Sequence, residues 1–331
     1  MVITLTVPTL GKMSNVFNEM VLSLNEQSFR DFKVFFIVPR NYKGGGLRET
    51  LEKTDIDFTI EYQNGSGFEN AMNKALEVSG DVNLNMDDDA IYSHTHVESY
   101  LKLFDMTNAG IIFGKVNNMR PYFNRTIFFL EMQNMANKTP LLSSPRHYAI
   151  YLNSAGFLSS HLSSIVSPYR KIRLNANPIG VNMGWSRDAV EDFRLLEFSK
   201  KGTINEAYIA LAAMIRNFPV YETNLINVKH GGLTDSLSRG NRSDDIIVKI
   251  TELLFSPLVI QTFHEINSKD FDRTITKLKK ILGLIPSHIT EHFSNTLDII
   301  YDGIQEQWDK FRIRERYNEI VSHKAQGDTY S

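Results

Sequence analysis

Short runs of β-branched and apolar residues alternate with amphipathic stretches through the first third of the chain. Residues 2–7 read as a buried strand, and Pro8 stops it. Val16, Phe17, Met20, Val21 and Leu24 then fall on one face of a helix. Lys33 to Val38 is a second buried strand, closed by Pro39, and a loop with three glycines follows at Asn41 to Gly46. Leu47 to Lys53 fits a short helix and Phe58 to Tyr62 a third strand. Asn64 to Gly67 forms a turn, and Phe68 to Val78 continues as a helix. Val82 to Met86 is a fourth strand that runs directly into Asp87-Asp88-Asp89. The same rhythm gives a helix over His96 to Met106 and a strand over Gly110 to Val116.

Strand and helix alternating with short connections imply a mostly parallel sheet covered on both faces. In such sheets ligands gather at the carboxyl ends of the strands. Pro8-Thr9, Pro39-Arg40 and the three aspartates all stand at such ends, so they are expected to meet in space.

Residues 117–178 mix short apolar runs with Asn, Ser and Pro, as an elaborated insertion on the acceptor side would. Ala189 to Leu196 and Asn205 to Asn217 read as helices, and Val220 to Val228 as a strand. Residues 231–243 are rich in Gly, Ser and polar side chains and are expected to form a mobile loop. From Asp244 onward glycine is scarce and helical periodicity dominates. Phe293, Leu297, Ile300, Ile304, Trp308 and Phe311 make one apolar stripe, read as the face of a single long helix. The expected organisation is an α/β domain over 1–243 and a helical extension over 244–331.

Composition narrows the function classes. The chain has 331 residues, 42% hydrophobic and 22% charged, which excludes a mostly disordered chain. Thirty-six basic and 38 acidic residues leave a net charge of -2, so nothing marks a nucleic-acid binder. No cysteine is present, which excludes disulfides, thiolate metal sites and a Cys nucleophile. No basic region precedes the first strand, and no run approaches ~18 apolar residues. A cytoplasmic protein is expected, at most peripheral to a membrane.

Three successive carboxylates repel one another, and a divalent cation relieves that cost. Hard cations such as Mg²⁺ and Mn²⁺ prefer oxygen ligands and bridge to substrate phosphates. The plain alternative is a solvated acidic loop; the position of the triplet beside two other strand ends favours the cation.

At these residues the chain resembles the family 2 glycosyltransferases of the GT-A fold. Val7-Pro8-Thr9, the helix after it, and Gln27-Ser28-Phe29-Arg30-Asp31-Phe32-Lys33-Val34 are similar to the family's opening. Asn64-Gly65-Ser66-Gly67, Ala71-Met72-Asn73, Gly80-Asp81 and Asp87-Asp88-Asp89 resemble the stretch that leads into its D-x-D motif. Gly180-Val181-Asn182-Met183-Gly184-Trp185-Ser186-Arg187, Asn205-Glu206 and Val228-Lys229-His230-Gly231-Gly232 follow in family order. The resemblance spans about residues 2–232.

It implies an α/β, GT-A fold and transfer of a sugar from a nucleotide-sugar to an acceptor hydroxyl on a glycan, lipid-linked or protein acceptor, with Mn²⁺ or Mg²⁺. Asp89 and His230 would hold the metal, with Asp87 shared between metal and donor. Asp88, Pro8, Thr9 and Asn73 would border the nucleotide-sugar, and Glu206 would be the base of an inverting reaction. Three departures stand out, the first being Met72 where Arg is usual before Asn73. Pro39-Arg40-Asn41 replaces the usual acidic sequence after the second strand, and Glu206 stands where Asp is usual, beside Asn205.

Alternatives remain open residue by residue. Arg239 and Arg242 would clamp a diphosphate from a closing loop, or are solvated. Trp185 would be an acceptor platform, or core. Glu206 also suits the start of a helix, and His230 a structural role. The aromatic stripe would pack within the protein or on a second subunit; Lys277, Lys279 and Lys280 form only a small basic cluster for a membrane surface. A retaining transferase, a sugar nucleotidyltransferase and a non-enzymatic cation- and partner-binding module are the other functional readings.

Overall fold

The structure is a computed structural model. It describes residues 1–65, 67–117, 125–142, 148–160, 171–199, 202, 204–230, 242–284 and 288–327, with the backbone alone at 125–127, 242–246, 288–289 and 323–327. The chain divides into two compact units. The first joins Met1–Pro121, Pro168–Leu195 and Asn205–Ser236; the second joins Tyr122–Ser167, Leu196–Ile204 and Leu237–Ser331. Contacts therefore divide the chain at several places and not only near residue 244.

The first unit is built on a mixed sheet. Its strands are β1 (Ile3–Pro8), β2 (Lys33–Val38), β3 (Phe58–Tyr62), β4 (Val82–Met86), β5 (Ala90–Tyr92), β6 (Ile111–Asn117), β9 (Ile172–Leu174), β10 (Asn182–Ser186) and β11 (Val220–His230). Their order is β3-β2-β1-β4-β10-β6-β11-β5, with β9 also on β11. The β3-β2-β1-β4 half is parallel, because each crossover returns the chain through a helix. These helices are α1 (Asn15–Asn25), α2 (Leu47–Leu51) and α3 (Phe68–Val78). Ser14 starts α1 by accepting a hydrogen bond from the Phe17 N–H at 3.0 Å. The other half is mixed: β10 runs antiparallel to both β4 and β6, and β6 is parallel to β11. α4 (His96–Thr107), α6 (Arg187–Val190) and α7 (Asn205–Ile215) complete the unit.

Alternation along β1 and β4 sets the core. Ile3, Leu5 and Val7 pack with Val82, Leu84 and Met86 in the hydrophobic cluster. The intervening Thr4, Thr6, Asn83 and Asn85 are buried as well, and they bond to one another across the parallel pair.

The helix expected over Ala189 to Leu196 is only the four residues of α6. Asp192 adopts a left-handed backbone with φ 60°. The Leu195 N–H then donates to Asn73 Oδ1, and Asn73 Nδ2 donates to the Leu195 carbonyl. The side-chain amide thus takes the bonds that a further helical turn would make.

The second unit holds α5 (Arg125–Ala136), a β7–β8 hairpin (Ile150–Leu152 and Leu158–Ser160), and helices α8 (Arg242–Leu254), α9 (Ser256–Gln261), α10 (Ser268–Gly283), α11 (His288–Gln305) and α12 (Lys310–Gly327). Its interior combines aliphatic side chains with several packed aromatic rings. Phe271 stacks between Phe157 and Tyr301, each 6.2 Å away between centroids, and Phe129 meets Phe293 edge-on at 5.5 Å. The single helix expected over the 293–311 stripe is two helices. The chain leaves α11 through Gln307, with φ 52°, and Asp309 caps α12 by accepting from the N–H groups of Phe311 and Arg312. Phe293, Leu297, Ile300 and Ile304 are buried, whereas Phe311 is exposed.

Candidate active site

The carboxyl ends of β1 and β4 are neighbours in the parallel sheet, and their loops are bonded directly. Thr9 Oγ1 donates to Asp88 Oδ2 at 2.5 Å and accepts from the Gly11 N–H at 2.9 Å. The Thr9 N–H in turn donates to the Ile37 carbonyl on β2. Pro8 ends β1 one residue earlier. The three strand ends thus converge, as the alternation of elements requires.

After Met86 the chain crosses to the far part of the sheet. Asp87 to Asp89 span the crossing, and Ala90 to Tyr92 pair antiparallel with the end of β11. Ala90 lies opposite His230, which brings Asp89 beside the imidazole. His230 Nε2 is 3.2 Å from Asp89 Oδ1 and 3.7 Å from Asp87 Oδ2. One ligand atom from each of Asp87, Asp89 and His230 lies within 4.8 Å of the others. All three side chains are half-buried.

Two carboxylates and an imidazole are a mixed oxygen and nitrogen set that could hold a divalent cation, and their spacing lets one ion reach all three. The electrostatics agree with a site short of positive charge. Burial raises the Asp89 carboxyl above its ordinary range, partly offset by His230. Burial also raises Asp88, to about 6, against the opposing effect of the Thr9 hydrogen bond.

Glu206 lies in the first turn of α7 and is partly buried. Burial raises its carboxyl to about 7, with a smaller contribution from the negative charge of Asp87. A carboxyl poised near neutrality can take a proton from a hydroxyl, which one at its ordinary value does poorly.

Other sequence-predicted residues lie elsewhere. Trp185 is fully buried on β10, opposite Asn83, and its ring N–H donates to Ser79 Oγ at 3.0 Å. A side chain so enclosed offers no face to an acceptor, so it belongs to the core. Asn73 has both ends of its amide engaged by Leu195, which makes it a tether for the segment after α6. Arg239 and the loop at 231–241 lie outside the described residues, and Arg242 is described by its backbone alone at the start of α8.

The structure adds residues that the sequence reading passed over. Asn85, on the last turn of pleat before the aspartates, donates from Nδ2 to the Gly180 carbonyl at 2.8 Å. Tyr92 accepts from the Asp87 N–H at 2.7 Å and faces the carbonyls of Asp87 and Val181 at 3.3 and 3.4 Å. The signal was present: Val-Asn-Leu-Asn-Met places two asparagines on alternate positions of a strand otherwise built for burial.

No family model matches the chain, and no curated protein matches it. Solved structures do resemble it. Mannosyltransferase PcManGT from Pyrobaculum calidifontis, in complex with GDP-Man and Mn²⁺, superposes with a TM-score of 0.50 at 12% identity, covering 99% of this chain and 87% of that one. S. aureus TarS 1–349 in complex with UDP-GlcNAc is similar at a TM-score of 0.49 and 12% identity, over 100% of this chain and 93% of that one. The likeness to PcManGT establishes a fold shared with a glycosyltransferase: an α/β protein with a mixed, mostly parallel sheet and helices at its C-terminal end.

Proposed function

We propose that the chain is a metal-dependent glycosyltransferase of the GT-A, family 2 type, acting on a nucleotide-sugar donor and inverting the anomeric carbon. The observation that carries this reading is the convergence of Asp87, Asp89 and His230 at the strand ends, beside the Thr9–Asp88 pair. PcManGT, which shares the fold, is complexed with GDP-Man and Mn²⁺, the same combination of nucleotide-sugar and cation.

In this reading Asp89, His230 and Asp87 hold Mn²⁺ or Mg²⁺. The ion supplies positive charge for the departing diphosphate. Asp88, kept in place by Thr9, faces the donor, with Pro8 at the nucleotide border. Glu206 accepts the proton of the attacking hydroxyl. At pH 7 a carboxyl with a pKa of about 7 is ionised in roughly half the molecules, so the base is ready without a separate activation step. The acceptor is a hydroxyl of a glycan, a lipid-linked sugar or a protein.

Incubation with GDP-mannose or UDP-N-acetylglucosamine and Mn²⁺, with released nucleoside diphosphate as the readout, tests the proposal. Release that stops in excess chelator is expected. Release unchanged by the chelator would remove the metal from the reading, and no release from any nucleotide-sugar would favour a cation-binding module.

A further inference from the structure

Gly180 precedes β10 and does not need glycine for its backbone, since it is not among the residues with positive φ. The reason for glycine is space. A Cβ built on Gly180 would lie 2.4 Å from Glu206 Oε1, 3.4 Å from its Cδ and 3.6 Å from its Cγ. Real Cβ contacts do not reach the first of these distances. The Glu206 carboxylate therefore occupies the volume that any other residue at 180 would fill.

The glycine is itself held from several sides. A one-directional series of hydrogen bonds runs through the buried pair β1–β4. The Gly80 N–H donates to Thr4, Thr4 to Asn83, Asn83 to Thr6, Thr6 over a long 3.5 Å to Asn85, and Asn85 to the Gly180 carbonyl. Such series polarise in one sense and stiffen the groups they join. Val181 faces the Tyr92 hydroxyl, which also takes the Asp87 N–H, and Asn182 receives the Tyr100 hydroxyl at 2.7 Å on its carbonyl. Gly180 is thereby tied to the strand that ends in the three aspartates.

We propose that Gly180, with its carbonyl held by Asn85, is the positioning residue that fixes the Glu206 carboxylate relative to the aspartate cluster. This rests on Glu206 acting as the base, and it assigns the orientation of that base to a residue without a side chain. Displacing a reacting group by about 1 Å can cost on the order of 10² in rate.

The test is a double-mutant cycle on the full-length chain: wild type, Gly180→Ala, Glu206→Ala and the pair. In wild type the new methyl of Gly180→Ala has to push aside the flexible end of Glu206, so its effect on Tm is expected to be modest, and smaller still in the Glu206→Ala background, where the methyl has room. An equal loss in both backgrounds overturns the proposal. If Gly180→Ala alone does not fold, a folded double variant supports it and an unfolded one overturns it. Turnover adds a readout that a purely structural glycine would not move. With Mn²⁺ and GDP-mannose or UDP-N-acetylglucosamine, Gly180→Ala should lower kcat about 10- to 100-fold with donor KM within about threefold. Unchanged kcat per folded molecule contradicts the proposal. Wild-type turnover by Glu206→Gln would instead retire Glu206 as base, while the stability cycle still reports the packing.

Discussion

The two units bury polar groups in different ways. In the first, Thr4, Asn83, Thr6 and Asn85 form a bonded ladder inside the sheet, and it ends at the loop beside Glu206. In the second, Phe198, Phe255 and Tyr317 pack together and Phe271 lies between two rings, within a largely aliphatic interior that also holds separate bonded polar pairs, Tyr151–Asn134, Asn137–Ser154 and Asn153–Ser159. Its buried Glu252 is bonded to Tyr317, and its ion pairs, such as Arg273–Asp270 and Arg316–Glu319, lie at the surface. A polar ladder fixes directions, because hydrogen bonds weaken steeply with angle. Ring packing supplies burial with looser orientation. In this account the first unit's ladder serves the candidate site, to which it leads, and the packing of the second unit contributes stability.

The largest effect should come from the first unit. Glu206→Gln preserves size and removes the proton acceptor, so transfer should fall about 10²- to 10⁴-fold with donor affinity within about threefold. Near wild-type transfer with normal donor binding would break the contrast at its centre. In the second unit, Phe271→Ala should cost about 3–5 kcal/mol of unfolding free energy, measured by denaturant titration. The same variant should bind Mn²⁺ as tightly as wild type while folded. A weakened metal site would show that the division of labour is false.

A smaller effect concerns pH. His96 is buried against Tyr92 and Tyr100, and burial lowers its pKa to about 3. The unfolded chain binds a proton there below about pH 6.5, and the folded one does not until about pH 3. The unfolded state therefore carries more protons in that window, and stability is lost as pH falls through it, by at most about 1.4 kcal/mol per pH unit. His96→Phe should remove this component of the slope in unfolding titrations between pH 6.5 and 4. The smallest effect belongs to the second unit's surface. Lys279→Ala, which removes the pair with Asp298, should change stability by less than about 1 kcal/mol.

The legibility of the sequence follows the same division. In the first unit the apolar runs of β1, β2, β3 and β4 are short, bounded by Pro or Gly, and match the strands within about a residue. The aspartates and His230 stood out as charged groups at strand ends. What joins them did not: β5 is three residues long, too short for any period, yet it sets Ala90 opposite His230. Gly180 stood at the head of a family-like segment, but its relation to Glu206 did not show, since that lies in the space left for a side chain 26 positions later. In the second unit α5 escaped because its buried face mixes Gln133 and Asn134 with Phe129, Leu130 and Met132, while Phe128 and Met135 are exposed, which blurs the amphipathic pattern. The stripe to Phe311 misled because spacing alone does not register the break at Gln307.

The claim that the first unit holds a metal-assembled donor site is tested most directly by thermal unfolding. Wild type and Asp89→Ala would be heated with GDP-mannose or UDP-N-acetylglucosamine, with Mn²⁺ or with excess chelator. A ligand at about 100 times its Kd adds about 2.7 kcal/mol to the folded state, enough to move Tm by several degrees. The account predicts that one of these donors raises the Tm of wild type with Mn²⁺, and that the shift disappears with chelator or in Asp89→Ala. An equal shift under all three conditions would contradict it.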